Sequence, residues 1–153
     1  MSEKVDRLFL GAQRLAEQIP GFYDVKGPGA GDHASNKFMK DLGTLAEQLF
    51  GTDFSEKEVR KDLGFRFDFY FPDEETVVEI ALSLDKPMTE LEKDIFKCLL
   101  ARDAGLVIKR LVLIAKPGAE RTQSTPGQTA IRELVERNFG LAVEVHELVP
   151  LVP

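Results

Sequence analysis

Two carboxylates stand where strand sequence gives them little reason to be. Glu79 lies inside Val77-Val78-Glu79-Ile80-Ala81-Leu82, and an unpaired carboxylate in such apolar surroundings carries a desolvation cost on the order of several kcal/mol. Asp68 lies in the alternating run Phe65 to Phe71, between Phe67 and Phe69. If the two runs pair as a hairpin in register, Asp68 and Glu79 converge. Two carboxylates held together repel unless a proton or a cation intervenes, and Mg²⁺ or Mn²⁺ is the hard ion that oxygen ligands favour. Such an ion activates water and stabilises charge developing on a phosphodiester. The plainer alternative is that Arg66 pairs with the acids and the face is merely polar.

The elements that must position these residues are readable from periodicity. Val5, Leu8, Phe9, Ala12, Leu15, Ala16 and Ile19 recur at helical spacing up to Pro20-Gly21, which predicts a helix over about Glu3 to Ile19. A glycine-rich loop follows, where Asp32 or Ser35 offers a cap. A second apolar stripe from Phe38 to Leu49 predicts a helix over His33 to Phe50, with Glu47 in its last turns. A short strand is expected around Glu58 to Lys61, although Ser55 and Glu58 also match a helix capping box. Phe65, Phe67, Phe69 and Phe71 predict one greasy strand face, with Arg66, Asp68 and Tyr70 on the other. After the turn at Pro72 to Glu75, Thr76 to Leu84 reads as a strand covered on both sides.

Thr89 and Glu92 form a capping box for a helix that ends at Gly105, and Leu106 to Lys116 holds a central strand. Ser124-Thr125-Pro126 opens a helix to about Asn138, and Leu141 to Leu148 supplies a last strand. The crossover through the Thr89 helix makes the strands at Val78 and Val112 parallel.

This order resembles the PD-(D/E)XK nuclease superfamily over about residues 34–116. The matching stretch is FRFDFYFPDEETVVEIALS, set between AEQLFG and TELEKDIFKCLLARDAGLVIKRLVLI. The resemblance implies a restriction-endonuclease-like fold: an α/β domain with a mixed β-sheet flanked by helices on both faces. One domain is expected over residues 1–153, with an N-terminal helix and loop (1–32), the nuclease-like core (33–116) and a C-terminal helix and strand (117–153).

By the same resemblance Asp68 and Glu79 are the catalytic pair that binds Mg²⁺ or Mn²⁺, and Glu47 matches an accessory metal-binding glutamate. Ala81 stands where the motif has its lysine. Some members move that lysine to the following helix, which makes Lys93 and Lys97 candidates and Lys86 a further one. Otherwise Lys93 and Lys97 form a solvated helix face beside Glu90 and Asp94. The implied function is a metal-dependent phosphodiesterase or endonuclease acting on DNA. The alternative is a catalytically inactive nuclease-like domain that binds a protein or nucleic acid.

Composition constrains these readings. Twenty Lys and Arg against 26 Asp and Glu give a net charge of -6, so DNA contact needs a local basic patch or a homodimer. Apolar stretches such as Leu111 to Ala115 are too short to cross a bilayer. One cysteine, Cys98, excludes an internal disulfide, and with only His33 and His146 beside it there is no zinc set. A soluble, cytoplasmic protein is expected, with Cys98 as a small core residue and His33 and His146 without a general-base role. Gly27 to Gly31 lacks the Gly-Lys-Ser/Thr ending of a phosphate loop.

Overall fold

The structure, a computed structural model, describes residues 2–24, 33–82 and 90–151. The Asp32 cap, the Thr89 half of the capping box, Lys86 and the end of the Thr76 to Leu84 run lie outside the described residues. Two compact units form. One is helical and combines residues 1–53 with 148–153; the other, residues 54–147, carries the sheet.

In the helical unit, α1 (Glu3–Gln18) packs on α2 (His33–Phe50). Both are amphipathic, and α1 buries Val5, Leu8, Ala12 and Ala16 while α2 buries Ala34, Phe38, Leu42 and Ala46. Phe22, just past α1, sets its ring 4.7 Å from that of Phe38. The segment after residue 147 returns to α1. Gln13 Nε2 donates to Val149 O at 2.7 Å, Gln13 Oε1 accepts from Val149 N at 2.9 Å, and Glu17 Oε1 accepts from Leu151 N at 2.8 Å. Leu148 is fully buried at the start of this segment.

The sheet unit has five strands in the order β1-β2-β3-β4-β5: Ser55–Glu58, Arg66–Phe71, Thr76–Ala81, Arg110–Ala115 and Ala142–Glu147. β1 pairs antiparallel with β2, and β2 with β3; β3, β4 and β5 run parallel. The connections carry α3 (Glu90–Asp103) between β3 and β4, then α4 (Ala119–Gln123) and α5 (Pro126–Phe139) between β4 and β5. One core joins Tyr70, Val77, Ala81, Leu111, Leu113 and Ala115 of the sheet to Leu91, Ile95, Cys98 and Ala101 of α3 and Val135 of α5. The antiparallel hairpin and the parallel crossover agree with the periodicity. The first strand does not: it spans Ser55–Glu58, earlier than Glu58 to Lys61, and the capping-box pattern there is not helical. α4 has no periodic signal because five residues make little more than one turn.

The alternation expected along β2 is interrupted at Asp68. Phe69 and Phe71 stack at 6.4 Å, and Phe71 meets Phe54 at 5.3 Å. Phe67 instead joins the core of Tyr70 and Val77, and Phe65 is exposed. β1 is irregular opposite the same position. Ser55 pairs with Phe69 and Lys57 with Phe67, but the intervening rung, Glu56 with Asp68, is missing, and Glu56 has φ +55°. The register is the same on either side of this gap, so the irregularity is confined to the single left-handed residue.

Because the left-handed region costs a non-glycine residue roughly 1 kcal/mol or more, Glu56→Gly is expected to raise stability by about that amount less the chain entropy glycine loses. Glu56→Val, which is β-branched and exposed here, should lower it. Urea unfolding midpoints check both, and an unchanged or lower midpoint for Glu56→Gly would show that Glu56 bears no strain.

Candidate functional site

β2 places Asp68 beside Glu79. β2 and β3 pair from Phe71 with Thr76 to Phe69 with Val78, and Asp68 and Glu79 are the next residues along the two strands. There the side chains take over from the ladder: Ile80 N donates to Asp68 Oδ2 at 2.7 Å, and Asp68 N donates to Glu79 Oε2 at 3.4 Å. Each carboxylate holds the opposite strand where the regular pairing stops.

The cation comes from α3. Lys97 Nζ donates to Glu79 Oε1 at 2.5 Å and to Asp94 Oδ1 at 3.5 Å. It also sits 5.6 Å from the centre of the Phe67 ring, within cation–π range. Glu79, Asp94 and Lys97 are buried, at 5%, 2% and 8% exposure. Asp68 is half-buried, and its side chain also neighbours that of Glu79 closely enough to raise the Glu79 proton affinity.

Of the two lysines raised by the sequence, Lys97 therefore reaches the acids while Lys93 is exposed. The expectation that both lie on a polar helix face fails for Lys97, because buried carboxylates on β3 and α3 draw the ammonium inward. Glu47 is exposed on α2, in the helical unit. Arg66 pairs with Glu58 at 3.3 Å and accounts for neither acid of the pair. Asp94 is the member that sequence reasoning passed over. Its signal was present, since 91, 94, 95 and 98 form one helical stripe with Leu91, Ile95 and Cys98.

Three carboxylates against one ammonium leave an excess of negative charge in a buried place. Burial, then the neighbouring Asp68 and Asp94 charges, push Glu79 up to about 9 despite the ammonium. Burial likewise raises Asp94 to about 7, with Lys97 opposing and Glu90 adding to the rise. Burial alone would pull Lys97 down, but Glu79 and Asp94 hold it above its ordinary value. Cys98, buried in the same core, has its thiol pushed up by burial and then by Glu79 and Asp94, which makes it an inert core residue. His146 pairs with Glu144 at 3.1 Å on β5.

No family model, curated protein or solved structure matches the chain. The chemistry must be judged from the donor set. Asp68 and Glu79 supply two hard oxygen donors on adjoining strands, the donor type that Mg²⁺ or Mn²⁺ takes. Among the described residues no three acidic, histidine or cysteine side chains form a metal-holding group. An ion here would complete its shell with water and substrate oxygens, as Mg²⁺ commonly does.

The titrations set a pH dependence. Folded, Glu79 and Asp94 keep protons to about pH 9 and 7; unfolded, they release them near their ordinary values of 4.5 and 3.8. The stability they contribute is complete below those lower values and is lost as pH rises through 7 and then 9. Without divalent ions the urea midpoint should fall over that interval, and Glu79→Gln should flatten the slope. Lys97→Met, which leaves buried carboxylates unpaired, should cost about 3–5 kcal/mol at the alkaline end and less at the acid end, where protons replace the ammonium. A midpoint that climbs across the interval would contradict the assignment.

Proposed function

We propose that the sheet unit is a metal-dependent phosphodiesterase of the PD-(D/E)XK type acting on DNA, with its lysine supplied by α3. The observation that carries this reading is the Lys97 ammonium, 2.5 Å from Glu79 Oε1. Ala81 removes the lysine from the strand, two residues beyond Glu79, and Lys97 restores an ammonium from the helix that crosses it.

Asp68 and Glu79 would hold the ion, whose chemistry is to lower the pKa of bound water and to offset charge on the phosphodiester. The chain's own groups do the rest. Ile80 N and Asp68 N fix the two carboxylates against the strands. Asp94, 3.5 Å from Lys97 Nζ, holds the ammonium in place, and Lys97 presents N–H donors where negative charge gathers on the scissile phosphate. Lys57 on β1 and Lys93 on α3 are exposed on elements that border the site. They offer the local phosphate contacts that a chain of net charge -6 requires.

A second reading has its own support: the burial of Glu79 and Lys97 and the acidic net charge favour a nuclease-like domain that binds a protein or nucleic acid without cutting it. Cleavage of linear duplex DNA with Mg²⁺ or Mn²⁺ separates the two. Asp68→Ala should abolish it, Lys97→Ala should lower it about 10²–10³-fold, and Lys93→Ala should leave the chemical step unchanged. Melting curves with Mn²⁺ accompany the assay, because an ion that binds the native site raises the transition of wild type and not of Glu79→Ala. Mn²⁺ stabilisation without cleavage would replace the nuclease with the binding module.

A further inference from the structure

The helical unit has a cavity of its own, of about 400 Å³, in the seam between α1 and α2. Its apolar floor is Leu10, Leu15, Leu45 and Leu49, and Gly11 lies between them. A Cβ on Gly11 would stand 3.0 Å from Leu45 Cδ2 and 3.5 Å from Leu49 Cδ1, so the bare glycine leaves room for these leucines to line the seam. Leu10, one of the lining leucines, is 55% exposed at the mouth of the seam.

The rim is basic. Arg7 and Arg14 are seven residues apart on α1 and share a face, about 10 Å apart along the axis. Arg7 is held over the seam: its Nη2 donates to Leu49 O at 2.8 Å and its guanidinium lies 5.3 Å from the Phe50 ring. Glu3 approaches Arg7 only at 3.9 Å. Arg14 makes no hydrogen bond or ion pair among the described residues. No carboxylate lines the cavity, although acids outnumber bases in the chain.

From this combination we infer that the α1–α2 seam binds a small anionic amphiphile, its aliphatic chain along the four leucines and its anionic head on Arg14 and Arg7. The volume lies at the lower end of small-molecule sites, which run from about 300 to 1,000 Å³. It is too small to seat a partner helix, whose diameter with side chains is about 10–12 Å. An apolar ligand without charge would leave the arginines unused, and a free anion would leave the leucines wet. The site is contained within the helical unit.

The test titrates decanoate, below its micelle concentration, into the full chain and follows amide and leucine methyl resonances by NMR together with the melting temperature. Saturable shifts confined to the leucines of the seam, with a raised melting temperature, are expected. Arg14→Gln, a change at an exposed and unpaired side chain, should weaken binding roughly tenfold or more, as should replacing decanoate with decanol. Decyl phosphate in place of decanoate identifies the head: tighter binding assigns a phosphate ester, weaker binding a carboxylate, and both keep the inference. Three results overturn it: no saturable shift with either amphiphile, equal affinity for decanoate in wild type and Arg14→Gln, or inorganic phosphate alone reproducing the seam shifts.

Discussion

A single ammonium among three carboxylates governs the sheet unit. Lys97 touches Glu79 and Asp94, while Glu79 and Asp68 lean on each other's strands. One positive charge cannot balance three negative ones at low dielectric, and the imbalance is met by raised proton affinity on Glu79 and Asp94. A buried ion pair is weak support for stability in itself. Its presence across β3 and α3 instead marks where the fold accepts cost, and such places are disproportionately functional.

A backbone irregularity lies two strands from Glu79, on β1 opposite Asp68. The left-handed turn at Glu56 removes the rung. Phe67 faces the ammonium of Lys97, and the Asp68 backbone N–H donates to Glu79. The strand's aromatic packing and the aim of its acid are thus set together.

Much of this was legible in the residues. Period changes located the helices and the hairpin, and Glu79 stood out because an apolar run makes a carboxylate expensive. Lys93 and Lys97 could not be told apart by spacing, since both lie four apart along one helix; only the three-dimensional demand of Glu79 selects Lys97. Asp94 looked like an ordinary surface acid beside a lysine, although its place on the Leu91 stripe argued otherwise. Glu56 gave no warning, because glycine and asparagine are the residues that usually announce positive φ. β1 was misplaced for the same reason: a strand of four residues, Ser-Glu-Lys-Glu, has no hydrophobic alternation to read.

The return of residues 148–151 to α1 makes the sheet unit an insertion, one continuous segment set into a helical unit that is assembled from two separated pieces. Gln13 meets Val149 across a sequence separation of 136. On the ribosome, α1 and α2 are made before the inserted segment, and the partners of Gln13 and Glu17 follow it. The inserted segment has no such dependence, because all its strands lie within one continuous stretch. The helical unit is thus completed only by residues that follow the whole sheet unit in the chain, whereas the sheet unit is complete within itself.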